Sequence, residues 1–447
     1  MSDLNVDISN KADWPTKSID SLCTLISRGS APVYVEHSNV LAIGQRCVAS
    51  TGFNPDLARP HSQRAMRNVL RPELGDVLLN STGTGTIGRS VIFNTSGNFI
   101  VDGHVTVLRP DAERAESIWL NSVLRTPWFQ NHLERFCYAG STNQLELSRT
   151  PLRTSSLPVP SVDEQRAMGL VLNTLDIAIQ ETEAIIAKLR AVKQGILHDL
   201  LTRGIGANGE LRPPQAEAPH LYKPSPLGWI PTEWEVPTLA ELLVGIDAGW
   251  SPSCPEEPPR AGEWGVLKVS AVSSGVYNPG ESKRLPPELK PIRSMEVKTG
   301  DVLLARANGV ANLVATTVLV SDTPSCLMLS DKTLRLVPGQ KLMAGHLARV
   351  MRHDVVRTQI NGMLNGSSGQ KNISQEQIRN IRIPLPPFEE QAISDTQATE
   401  SAEQISAEQC SLMKLGALKS SLMDDLLTGR VRVTPLLANV RQQKGRT

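Results

Sequence analysis

The sequence is short of the features that would assign it a chemistry at once. Its six cysteines, at 23, 47, 137, 254, 326 and 410, show no Cys-x-x-Cys and no Cys/His group at zinc spacing. A zinc module is thereby excluded, and reduced thiols of a cytoplasmic protein are expected. Aromatic residues make up only 4%, and the net charge is +1 with a pI near 7.7. No global basic field exists, so any binding to DNA must come from local patches. The N-terminal MSDLNVDISNKADW has no apolar core of a signal peptide, and no apolar run reaches the ~18 residues that would span a bilayer. His-Glu-x-x-His, Gly-x-Ser-x-Gly, a P-loop lysine and an Asn-Pro-Pro-Tyr tetrad are all missing, which reads as a binding protein and not an enzyme. The 40% hydrophobic content over 447 residues suffices for ordinary cores and about three domain-sized units.

What is present is a repeat. Leu157-Pro158-Val159-Pro160 precedes Glu164-Gln165, and Ile383-Pro384-Leu385-Pro386 precedes Glu390-Gln391. Lys193, Ile196, Leu197, Asp199, Leu200, Leu201 and Thr202 recur as Lys419, Leu422, Met423, Asp425, Leu426, Leu427 and Thr428. All these pairs are 226 residues apart. A period this long means two domains of one design, since solenoid periods run from about 20 to 50 residues. A Gly-Asp-Val-Leu-Leu segment occurs in each half, at 75–79 and 300–304, followed by β-branched stretches that read as strands. Short helices are expected around Ile118, Trp119, Val123 and Leu124, and around Leu347, Val350, Met351 and Val355.

The reading is α+β: two similar β-rich domains, each followed by a long helix. Residues 1–160 and 228–386 are the domains, 161–204 and 387–430 the helices, 205–227 a Pro/Gly/Ala-rich linker and 431–447 a flexible tail. In the first helix Met168, Leu172, Leu175, Ile179, Thr182, Ile186, Leu189, Lys193, Ile196 and Leu200 step by four and three, a heptad seam. The matching seam is Ser394, Ala398, Ser401, Ile405, Glu408, Leu412, Leu415, Lys419, Leu422 and Leu426. Helices of about 40 residues run about 60 Å, and one apolar stripe that long needs a partner. The preferred pairing is each helix with its own repeat, antiparallel, the domains then lying at opposite ends. Packing on its own domain or on another protein is the alternative. The small residues Ser394, Ala398 and Ser401 suit a close approach by the facing helix or by a partner.

Several loops carry phosphate- or base-binding chemistry. Gly83-x-Gly85-x-x-Gly88 has dinucleotide spacing, but Arg89-Ser90-Val91-Ile92-Phe93 after it reads as a strand, not the helix such a site needs. It is better taken as a hairpin loop whose backbone, hydroxyls (Ser81, Thr82, Thr84, Thr86) and Arg89 approach a phosphate chain or a groove. Ser141-Thr142-Asn143-Gln144 and Ser367-Ser368-Gly369-Gln370-Lys371-Asn372 recur 226 residues apart. Hydroxyls suit phosphate, and amide side chains suit adenine edges; a solvated turn is the bland alternative. Arg59, Arg64, Arg67 and Arg71 form a local basic cluster, with Arg306 in a looser one around Arg293, Lys298, Lys283 and Arg284. His104 has no evident counterpart and reads as structural. The loop residues differ between the halves while the helices match: Asn308 faces the first glycine-rich loop, and Gly369 faces Asn143.

Pro-x-Pro, Glu-Gln, a long helix and Lys-x-x-Leu-Met-x-Asp-Leu-Leu-Thr-Gly-Arg, present twice with Arg203-Gly204 inverting the second copy's Gly-Arg, resemble the specificity subunit of type I restriction–modification enzymes. The resemblance covers nearly the whole chain and is specific in the helices. It implies two target recognition domains, each reading one half of a bipartite double-stranded DNA site, with the helices setting the gap. It also implies docking of two modification (methyltransferase) subunits and of restriction subunits. The seam leucines Leu175, Ile186, Leu189, Leu200, Leu412, Leu415, Leu422 and Leu426 are the expected partner-binding positions. S-adenosylmethionine, ATP and Mg belong to those partners, and no cofactor or metal is expected in this chain. The unlike loops imply unlike half-sites, and the near-neutral charge implies weak, salt-sensitive DNA binding by the isolated chain. A related enzyme that cuts on both sides of its site would need the same fold with other partners. A non-catalytic protein scaffold is the reading from a different class.

Overall fold

The computed structural model describes residues 14–141, 144–366 and 369–433. They form two compact units, one from the residues up to 186 with those from 408 on, the other from 187–407. The first unit has seven main strands: β1 (Cys23–Arg28), β2 (Leu41–Ile43), β3 (Arg59–Pro60), β4 (Val77–Asn80), β5 (Ser90–Ile92), β6 (Phe99–Val101) and β7 (Val105–Pro110). Four make an antiparallel sheet in the order β1-β7-β4-β5, and three make a second sheet, β3-β2-β6, in which β2 and β6 are parallel. Because side chains alternate across a strand, the buried β4 feeds two cores. Val77 and Leu79 join Leu108, Trp119, Phe129 and Met168 on the helical face, while Leu78 joins Ile43, Val91, Phe93 and Val101 between the sheets. Phe53, Phe93 and Phe99 meet edge to face in the second core, with centroids 5.3 to 6.1 Å apart.

Helix α1 (Val162–Thr202) follows. The second unit repeats the plan with β8 (Leu243–Ala248), β9 (Gly265–Leu267), β10 (Ser282–Arg284), β11 (Val302–Ala305), β12 (Thr317–Leu319), β13 (Leu327–Met328) and β14 (Thr333–Pro338). Its sheets are β8-β14-β11-β12 and β10-β9-β13, again with one parallel pair, and helix α2 (Phe388–Leu427) comes last. The repeated Gly-Asp-Val-Leu-Leu now has a physical reason. Asp76 binds Arg109 of the neighbouring strand at 2.9 Å and accepts the Glu73 amide; Asp301 does the same with Arg335 at 3.1 Å and the Lys298 amide.

The repeated Glu-Gln is explained in the same way. Gln165 is fully buried, accepts from the Glu116 amide and donates to the carbonyls of Arg114 and Pro160. Gln391, also fully buried, accepts from the Met343 amide and donates to Lys341 and Pro386. Each glutamine thus staples a helix start to its own domain. The glutamates take a cation instead. Glu164 receives two bonds from Arg432, at 2.6 and 2.9 Å, and Glu390 receives Arg212, at 2.7 and 3.1 Å, together with the Trp234 indole and the Ile205 amide. Burial pushes the Glu164 carboxyl up, but Arg432 and the Ser161 hydroxyl outweigh it and hold it below its usual range.

Two expectations about the connecting segments change. Residues 205–227, read as a linker, include the buried Arg212 and a strand, Tyr222–Ser225, that forms a hairpin with Gly228–Pro231. Gly204, at φ +61°, lets the chain leave α1, and any side chain there would collide with Glu390 and Trp234. The tail expected from residue 431 is docked as far as Val433, which is 1% exposed, with Arg432 on Glu164; residues from 434 lie outside the described ones.

Every seam position on both helices is buried or half-buried. In the first unit Met168 and Leu172, near the start of α1, share a core with Leu426 and Leu427 at the end of α2, and Lys419 pairs with Asp176. In the second, the residues just after α1 lie against Glu390 at the start of α2. The helices therefore pack together antiparallel. Ser394 and Ala398 are 5% and 7% exposed, as a close approach requires.

Two predictions concern stability. Arg212→Ala leaves a buried carboxylate without its cation and should cost about 3–5 kcal/mol in chemical denaturation, whereas Arg166→Ala, at an exposed pair, should cost about 0–1 kcal/mol. His346 is fully buried, donates from Nε2 to the Pro384 carbonyl, and burial pushes its pKa down to about 4. Its folded pKa lies below the unfolded value of about 6.5, so the neutral form's stability is complete above pH ~6.5 and falls as pH drops toward 4, by about 3 kcal/mol. Urea midpoints measured across that window should show the slope reduced in His346→Gln.

Candidate nucleic-acid interface

Between β4 and β5 the chain turns through Gly83, Gly85 and Gly88, with φ of +97°, +77° and +83°. These left-handed values suit glycine. A strand follows, so no helix N-terminus is available to hold a pyrophosphate. The loop's own polar groups brace it. The Thr86 hydroxyl donates to the carbonyls of Thr82 and Gly83, both at 3.2 Å, and Arg89 donates to Gly85 at 2.6 Å. Thr84 is exposed at the tip. Ser81, expected to face DNA, is fully buried and shares a 2.5 Å bond with Thr106. That strand-end side chain points into the fold and not toward solvent.

Beside this loop lies a cleft of about 720 Å³, whose polar wall includes Arg28, Gln45, Thr82, His104, Gln144, Glu146 and Arg149. Thr82 bridges Glu146, and the Leu147 amide donates to the Ser81 carbonyl. The two loops singled out in the sequence thus meet in one site. Ser141 is exposed and its carbonyl accepts the Gln144 amide at 2.8 Å; Thr142 and Asn143 lie outside the described residues. His104, expected to be structural, stands beside these loops. The side chain is exposed on the cleft wall, with Nδ1 2.7 Å from the Thr82 hydroxyl. Arg28, Gln45 and Glu146 were not legible as site residues. Arg28 donates to the Gly103 carbonyl and pairs with Glu146 at 3.2 Å, contacts between segments far apart in sequence.

In the second unit Ala307–Asn308 pairs with Lys371–Asn372 as a two-stranded ladder. The Asn308 side chain is engaged internally, with Nδ2 on Ser273 at 3.1 Å and Oδ1 on the Val310 amide at 3.0 Å. Lys371 reaches back to the Gly366 carbonyl at 2.8 Å. Arg306, Gln370 and Asn372 are exposed, and Ser367 and Ser368 lie outside the described residues. Lys268, Lys283 and Lys332 line a second cavity of about 350 Å³. Glu256 of the Pro-rich stretch pairs with Lys283 at 2.6 Å and Lys268 at 3.3 Å.

The first basic cluster does not line the cleft. Arg64 and Arg67 are exposed elsewhere, and Arg59 lies 3.6 Å over the Tyr34 ring. The positions expected to bind partners, Leu175, Ile186, Leu189, Leu200, Leu412, Leu415, Leu422 and Leu426, are on the seam and buried or half-buried. The helix pairing takes up that seam. On α1 the apolar residues left exposed in the first unit are Leu170, Ile177 and Ile185, at 67%, 47% and 47%. Among the described residues no group of His, Cys, Asp and Glu could hold a metal ion, and no helix is long and apolar enough to cross a membrane.

Residues 349–398 match the family model described as the type I restriction modification DNA specificity domain. The chain is 38% identical over 161 residues to the EcoEI specificity subunit of Escherichia coli, an alignment that spans 35% of this chain and 27% of that protein. A putative type I restriction enzyme MjaX specificity subunit from Methanocaldococcus jannaschii is 24% identical over 80% of this chain and 79% of its own length. The fold resembles that of the S subunit of a type I restriction–modification system from M. genitalium, with a TM-score of 0.57, 14% identity and coverage of 96% and 99% of the two chains. Domain match and relatives together make the chain similar to type I restriction enzyme specificity subunits, and its fold is shared with a solved S subunit.

Proposed function

We propose that each unit reads one half of a bipartite, non-palindromic site in double-stranded DNA, and that the paired helices set the gap between the half-sites. The observation that carries this reading is the one plan built twice with different side chains at its polar loops. A polar, solvent-open cleft stands beside a glycine hairpin in the first unit, and a lysine-lined one stands in the second. Two reading heads on one face of a duplex fall about one helical turn apart, ~34 Å, or at a similar phase-matched spacing.

Methyl transfer, with S-adenosylmethionine, and ATP-driven cleavage, with Mg, are assigned to partner subunits. Two modification subunits dock on the helix pair and restriction subunits join them. Because the seam is occupied, docking uses the outward apolar residues Leu170, Ile177 and Ile185. The chain acts in the cytoplasm, where its DNA is. Sequencing for modified adenine in cells that express the chain with its modification subunit should give a two-part motif with a fixed unspecified gap. Replacing residues 1–156 with those of another specificity subunit should change one half only. A motif that persists when the chain is deleted would refute the reading.

A further inference from the structure

The turn that carries the chain from the three-stranded to the four-stranded sheet is built alike in both units. Residues 102–104 join β6 to β7, and residues 329–332 join β13 to β14. The Ser81 amide donates to the His104 carbonyl at 2.8 Å, and the Arg306 amide donates to the Lys332 carbonyl at 2.8 Å. Behind each turn a glycine is pressed onto the preceding strand; a side chain at Gly29 would run into the Val101 carbonyl, and one at Gly249 into the Leu329 carbonyl. His104 and Lys332 therefore occupy one structural address, and both are exposed. The turn in the first unit is further fixed by the buried Asp102, which accepts the His104 amide at 2.8 Å.

The surroundings of this address differ in chemistry. Around His104 stand two donor-only guanidiniums (Arg28 and Arg149), an acceptor-only carboxylate (Glu146, paired with Arg28) and the amides of Gln45 and Gln144. A phosphate needs donors alone and would be repelled by Glu146. A base edge presents donors and acceptors side by side, and adenine offers N7 as acceptor next to the N6 amino donor. His104 has Nδ1 engaged by Thr82, which leaves Nε2 for such a ring nitrogen, with Glu146 or Gln45 oxygen for the amino group. In the second unit Ala307 stands in place of Thr82 and Asn372 in place of Glu146. The nearby carboxylates are engaged, Asp331 by the Ser251 hydroxyl and Glu256 by Lys268 and Lys283, and the exposed Lys332 is a pure donor, which suits the paired acceptors O6 and N7 of guanine.

We infer that His104 and Lys332 are matched specificity-determining residues, His104 reading an adenine-type edge in one half-site and Lys332 a guanine-type edge in the other. This rests on the functional reading above. It is tested by selecting bound duplexes from a randomised pool with the assembled complex of this chain and its modification subunit. His104→Ala should lower discrimination at one A·T position of one half-site by about ten- to hundredfold and leave the other half and the gap intact. Lys332→Ala should do so at a G·C position of the other half. Glu146→Gln, a change at an exposed side chain, should weaken the same position as His104→Ala and serves if that variant fails to assemble. Unchanged preferences in the variants would overturn the inference. So would a uniform loss of affinity with all preferences kept, the mark of a phosphate contact. A parent complex that selects no two-part motif would instead refute the functional reading itself.

Discussion

A helix of 41 residues with one apolar face cannot stand alone in water. This constraint organises the chain. The apolar stripe on α1 is continuous, while the first half of α2 offers serine and alanine. Pairing the two antiparallel sets Met168 and Leu172 with the strong end of α2 in the first unit. Small residues such as Ser394 and Ala398 are then buried where α2 is weak. An ion pair from the seam residue Lys419 to Asp176 adds register where apolar packing alone would tolerate slippage.

Pairing also explains why the helix starts are the best-matched segments. A long helix joined by a flexible hinge would let its domain swivel. Gln165 and Gln391, each with both amide ends engaged, fix the exit angle of each helix from its domain. Glu164 and Glu390 then tie in the segment that follows the other helix, through Arg432 and Arg212. A buried carboxylate must find a cation, so the chain just past each helix is held, although its composition looks like a linker or a frayed tail.

Much of this was legible in the sequence because it is local or repeated. The heptad seam, the Pro-x-Pro and Glu-Gln pairs and the Gly-Asp-Val-Leu-Leu strands sit at fixed offsets, and Gln165 and Gln391, like Asp76 and Asp301, have matching contacts in the two units. The glycine hairpin was legible because a strand and not a helix follows Gly88. The site was legible only in part. Thr82 and Gln144, from two loops read separately, line one cleft, while Ser81, just past β4, is buried with its hydroxyl on Thr106. His104 reads as structural because the second half shows no evident counterpart in sequence; Lys332 shares its place in the fold but not its chemistry. Arg28, Gln45 and Glu146 gave no signal, since only the sheet-to-sheet turn brings them together. Arg212 and Arg432 were missed for a similar reason, as long-range partners of carboxylates that looked like ordinary helix-start acids.

If the helix pair is the ruler of a two-headed reader, its length must appear in the DNA. The most direct measurement is the gap in the methylated motif after one heptad is deleted from each helix. Whole heptads keep the seam in register. Seven residues at 1.5 Å each remove about 10 Å, close to three base pairs at ~3.4 Å. The account predicts unchanged half-sites separated by a gap of different length. Unchanged half-sites with an unchanged gap, in a complex that still methylates, would contradict it.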